Sequence, residues 1–76
     1  MMEYDELLDV TGLTCPKPLL FTKKKLATLK SKTVLCILLD DKKSLEDFGF
    51  FCKATGHILL GINQELNPIH IFIQTK

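Results

Sequence analysis

The stretch GLTCPKPLL, residues 12–20, places a thiol, Cys15, directly before Pro16, with Pro18 two residues further on. A thiol is a useful nucleophile only as its thiolate. The first turn of a helix offers free N–H donors and the positive end of the helix dipole, and both favour negative sulfur. Pro16 and Pro18 suit such a first turn, where a missing N–H costs nothing and a fixed φ stiffens the backbone. Pro16 also biases Cys15 away from helical geometry, so the thiol stands out at the tip. Pro16 and Pro18 lack amide hydrogens, so the N–H groups of Lys17 and Leu19 are the expected donors to sulfur. Gly12 permits an unusual backbone angle on the approach, and Lys17 adds a positive charge. The chemistry implied is that of an activated thiol. The plainer alternative is a small apolar cysteine packed at a helix start.

The other chemical side chains suggest less. Cys36 lies inside the apolar run VLCILL and Cys52 on the apolar side of a helical stretch, so both read as packed structural thiols. Three cysteines without a pairing pattern argue against a disulfide framework. His57 follows Gly56 and suits a backbone partner at a strand start, while His70 is expected to face solvent. No C-x-x-C or paired-histidine spacing supports a metal site, and no cofactor is expected. No histidine lies beside Cys15 in sequence to build a hydrolase. Lys23, Lys24 and Lys25 form a basic run that reads either as a solvated face or as a docking patch for an acidic partner.

The whole chain narrows the classes. Its 76 residues suit a single small domain spanning 1–76, with 46% apolar and 25% charged residues, enough for a core and typical of a globular chain. A net charge of +1 gives no basic excess for nucleic acid. No apolar run approaches the roughly 18 residues that span a bilayer. The start MMEYDELLDV has no charged-then-apolar signal pattern. A cytoplasmic protein with no membrane partner is therefore expected.

The elements that must position Cys15 follow from periodicity. Leu7–Val10 reads as a first strand ended by Thr11-Gly12. A helix is expected over residues 16–30, with Thr14 or Cys15 at its N-cap. Its inner side would carry Leu19, Thr22, Leu26 and Leu29, widened by Leu20 and Ala27. VLCILL, residues 34–39, is apolar on both alternating faces, the mark of a central strand. Asp40-Asp41-Lys42-Lys43 breaks it. Ser44 and Asp47 resemble a capping box at the start of a second helix. Leu45, Phe48, Phe51, Cys52 and Thr55 recur at helical spacing, and Gly56 is a natural stop. HILLGIN, residues 57–63, and IHIFIQ, residues 69–74, read as strands joined in a hairpin. The order β-α-β-α-β-β predicts an α/β two-layer sandwich, a four-stranded mixed sheet with both helices on one face.

On these residues the chain resembles the TusA/SirA/YedF family of small bacterial sulfur carriers. "LDVTGLTCPKPLL" looks like that family's strand-to-helix opening, Asp40-Asp41 like its acidic pair after the second strand, and "FFCKATGHILL" like its second helix running into its third strand. The resemblance implies that Cys15 carries sulfane sulfur as a persulfide, with Gly12, Pro16 and Pro18 as supporting motif residues. It implies a sulfur-donor protein, such as a cysteine desulfurase or a rhodanese-like protein, and a sulfur-acceptor protein on a route such as tRNA thiolation. Lys17, Lys23 and Asp40 are the expected docking contacts. Lys17 stands where the tRNA-thiolation members carry Glu, and Lys42 where many members carry Pro. Direct nucleic-acid binding is not expected.

Two other classes share these features. A thiol-based redox or regulatory protein would use the same activated sulfur. A non-catalytic RNA- or protein-binding module of this fold would need exposed aromatics on the sheet, for which Tyr4 and Phe72 are the candidates.

Overall fold

The computed structural model describes residues 3–76. Its elements are β1 (Glu6–Asp9), α1 (Lys17–Leu26), β2 (Val34–Leu39), a 3-10 turn over Lys42–Ser44, α2 (Leu45–Thr55), β3 (Ile58–Asn63) and β4 (Ile69–Gln74). They form the expected two-layer α/β sandwich. The sheet order is β1-β2-β4-β3, with β1 parallel to β2 and β4 antiparallel to both β2 and β3.

Alternation decides which side of each strand meets the helices. Leu35, Ile37 and Leu39 of β2 join Ile69, Ile71 and Ile73 of β4 in one buried cluster with Val10, Leu26, Phe48 and Cys52. The opposite face is less fully covered, yet Cys36 and its cross-strand partner Phe72 are buried there. Phe72, a candidate exposed aromatic by sequence, is not exposed. It is only 8% exposed because β4 is an interior strand, and the Tyr4 ring lies 6.4 Å from it.

The first helix is shorter than its periodicity suggests. The N-cap is Pro16, not Thr14 or Cys15, and regular structure ends at Leu26. Beyond it Thr28 and Leu29 donate to carbonyls three residues back, and the Thr28 hydroxyl also bonds the Lys25 carbonyl. Such bonds tighten a helix end into turns. Pro18, Thr22 and Leu26, one residue per turn, are its buried side. Leu20 and Ala27 are exposed and do not widen it. Thr22 is buried at no polar cost, because its hydroxyl donates to the Pro18 carbonyl at 2.8 Å.

The second helix starts differently from a capping box. Ser44 is its N-cap but makes no side-chain cap bond. Its hydroxyl donates to Asp41 at 3.2 Å, while Asp41 itself accepts the Lys43 N–H. That leaves the carboxylate of Asp47 free to face elsewhere. Gly56 ends the helix at φ 88° as expected, its N–H donating to the Cys52 carbonyl at 2.9 Å.

Candidate functional site

Parallel pairing brings the site together. β1 and β2 run the same way, with Asp9 beside Leu38, so the loops that follow them leave the same sheet edge. Ligand and reaction sites in α/β sheets gather at this carboxyl end. The first loop is tied in place by carboxylates. Asp9 accepts the Thr11 N–H at 2.9 Å and its hydroxyl at 2.6 Å. Gly12, at φ 82°, turns its N–H to Asp40 at 2.9 Å. Cys15 donates its N–H to Asp41, also at 2.9 Å. Two acids of the second loop thus hold the backbone that leads into the thiol.

Cys15 is exposed, whereas Cys36 and Cys52 are buried. Its sulfur does not receive the helix amides. The Lys17 N–H donates to the Thr14 carbonyl at 2.9 Å. Sγ instead donates to Asp47, in the first turn of α2, at 3.5 Å. The expectation of a stabilised thiolate is therefore reversed. The hydrogen bond to Asp47 pushes the Cys15 thiol above its ordinary pKa, helped by desolvation and by the negative charges of Asp47 and Asp41; the Ser44 hydroxyl pulls weakly the other way. Asp41 moves oppositely. The Cys15 N–H holds its carboxyl below the usual range despite some desolvation, with Lys43 and Ser44 helping. Cys36 and Cys52 are raised by burial.

The expected docking residues are distributed around this edge. Lys17 and Lys23 are exposed on α1, and Asp40 is exposed with one carboxylate oxygen on Gly12. Lys23 lies 5.7 Å from the centre of the Phe51 ring, Lys24 5.8 Å from that of Phe21, and Lys25 pairs with Glu6 at 3.3 Å. The basic run therefore splits three ways, and of its members Lys23 leans towards α2. A groove of about 660 Å³ runs between the helices, lined by Leu19, Lys23, Phe50, Phe51 and His57 among others, and Asp47 is one of its walls. His57 accepts the Lys76 N–H at 3.3 Å, the backbone role expected of it. His70 is half-buried, with Nδ1 3.0 Å from the Pro68 carbonyl oxygen, rather than free in solvent. Among the described residues no three His, Cys, Asp or Glu side chains are placed to hold a metal.

Asp47, which pairs with Ser44 in the sequence pattern of a capping box, instead accepts the Cys15 thiol. Its spacing from Ser44 suggested a cap. A signal existed in its position one helical turn after an acidic loop that parallel pairing sets beside Cys15.

The family model described as Sulfurtransferase TusA matches residues 6–75. The chain belongs to the TusA family. A provisionally named sulfur carrier protein of Neisseria meningitidis serogroup A is 42% identical over 71 residues, covering 93% of this chain and 96% of the relative. The sulfur carrier protein TusA of Allochromatium vinosum is 38% identical over 74 residues and covers 97% of both chains. The crystal structure of a SirA-like protein from Desulfitobacterium hafniense superposes with a TM-score of 0.76 at 22% identity, covering 92% of this chain and 95% of that one. That likeness bears on the fold, and it matches the β-α-β-α-β-β sandwich read from the sequence.

Proposed function

We propose that this TusA-family chain carries sulfane sulfur as a persulfide on Cys15 and relays it between proteins. The observation that carries the reading is the contrast among the thiols. Cys15 is exposed on a tethered loop at the carboxyl edge of the sheet, while the other two are buried. In the loading step the Cys15 thiolate attacks the outer sulfur of a donor persulfide. A bond forms between Sγ and that sulfur, the donor's own S–S bond breaks, and the donor leaves as a thiolate. In delivery an acceptor thiolate attacks the same outer sulfur and Cys15 leaves. Neither step needs an oxidant or a bound cofactor.

The donor is a cysteine desulfurase or rhodanese-like protein and the acceptor a second protein, on a route such as tRNA thiolation. Both must cover the edge around Cys15 for the sulfurs to meet. Lys17, Lys23 and Asp40 then fall in the interface, Gly12, Pro16 and Pro18 shape the loop, and the relay operates in the cytoplasm. The test is intact-protein mass after incubation with a cysteine desulfurase, cysteine and pyridoxal phosphate. The wild type should gain sulfur and Cys15→Ser should gain none. Equal loading of the two would overturn the assignment.

A further inference from the structure

We propose that Asp47 is a positioning residue that holds Cys15 as an unreactive thiol in the free protein, and that a donor or acceptor releases it by presenting a cationic side chain to Asp47. The inference rests on the relay reading and adds how the thiol is switched on.

The geometry supplies the hold. Sγ donates to Oδ2 of Asp47 at 3.5 Å. Loss of the thiol proton would leave two negative groups at that separation, which disfavours the thiolate. The acids of the neighbouring loops are already committed. From the loop after β2, Asp40 accepts from Gly12, and Asp41 accepts from the Cys15 and Lys43 amides and from the Ser44 hydroxyl. From the loop after β1, Asp9 accepts from Thr11. Lys17 opens α1 on the far side of Pro16 and is exposed. The one ion pair among the described residues, Lys25 with Glu6, lies elsewhere. Asp47 therefore has a place for a partner's cation.

An access route is also present. Asp47 belongs both to the thiol's surroundings and to the wall of the groove between α1 and α2. Lys23 also lines that groove, but its ammonium lies 5.7 Å from the centre of the Phe51 ring and makes no ion pair with Asp47, so a partner's cationic side chain entering there reaches the carboxylate without disturbing the carboxylates that tether the Cys15 loop. Neutralising Asp47 assists both halves of the relay. In loading, the Cys15 proton passes to solvent, the thiolate attacks, and the departing donor thiolate takes a proton in its place. In delivery Cys15 is the leaving group, and a leaving thiol of lower pKa departs faster.

The experiment follows disulfide exchange at Cys15, resolved by peptide mass, across pH, with two probes of similar size. Cystamine carries two ammonium groups and bis(2-hydroxyethyl) disulfide is neutral. In each reaction the Cys15 thiolate forms a mixed disulfide and one probe half leaves as thiolate. For Asp47→Asn the profile with the neutral probe should move to lower pH. The neutral probe should then react faster below the thiol's ordinary pKa, because the gain in thiolate fraction outweighs the accompanying loss of nucleophilicity. The wild type's preference for cystamine should fall in Asp47→Asn by about fivefold, the worth of one contact charge pair in water. Asp47→Glu should restore much of both effects. A neutral-probe profile that superimposes on the wild type, or an unchanged cystamine preference, would overturn the proposal. Desulfurase loading is measured in parallel. Normal loading with an unmoved profile removes Asp47 and leaves the relay. Absent loading with a moved profile removes the relay and leaves the thiol hold.

Discussion

Replacing Gly12 and Gly49 separately by Ala should change stability in opposite directions, although the chemical change is the same. Gly49 lies inside α2, and a Cβ there meets nothing within 4 Å. Alanine removes the entropy cost of glycine in a helix, a gain of about 1 kcal/mol. Gly12 also has open space around its Cβ, so no clash enters the balance. Its φ of 82° is the whole difference. A left-handed backbone costs an L-residue about 1–2 kcal/mol, and part of that is offset because alanine restricts the unfolded chain. A net loss of about 1 kcal/mol remains. The two variants should then differ by about 2 kcal/mol, or about 8–16 °C in Tm for a domain of this size. The assay is thermal unfolding by circular dichroism, with urea midpoints as a check. Desulfurase loading adds a functional reading. Gly12→Ala disturbs the N–H bonded to Asp40 beside the thiol loop and should load more slowly, whereas Gly49→Ala should load normally. Shifts of the same sign in the two variants, or a Gly12→Ala protein as stable as the wild type, would refute the backbone argument.

Three further outcomes are expected. Thiol labelling of the folded protein should modify Cys15 well before Cys36 or Cys52, because the last two are buried in the sheet and on the core side of α2; peptide mass after short labelling checks the order. Asp41 and Asp9 have carboxyls held below their usual range, by the Cys15 amide and by Thr11 respectively. A depressed folded value means stability that is present above the unfolded pKa of about 4 and lost as pH falls through the folded value, so urea midpoints should drop below about pH 4, and less steeply in Asp41→Asn. Charge reversal at Lys17 or Lys23 should slow sulfur transfer with a cognate donor and change its salt dependence, because rim charges act mainly on association. The same change at Lys25, already paired with Glu6, should cost some of that pair's contribution, at most about 1 kcal/mol for so exposed a bridge, and leave the salt slope alone.

The elements were readable where a pattern is local. VLCILL declares a covered strand because both alternating sides are apolar, and Ile69, Ile71 and Ile73 mark one face of another by their period of two. Gly56 stops a helix because the left-handed angle needed there is a property of one residue. The exposure of Cys15 was legible for the same reason, since the proline after it biases that one residue away from helical geometry. Family likeness then added the role proposed for it.

What could not be read required residues distant in the chain. The proton state of Cys15 depends on Asp47, 32 residues away, and reverses the expectation drawn from the helix start alone. The burial of Phe72 depends on β4 being inserted between β2 and β3, which a hairpin pattern does not specify. Asp40 and Asp41 hold the thiol loop only because β1 and β2 pair in parallel and deliver their following loops to one edge. Periodicity and turn chemistry report the preferences of a few neighbouring residues. Charge, hydrogen bonding and burial at a site arise from the groups that packing brings within a few ångströms, and those groups come together only once strand order and direction are set.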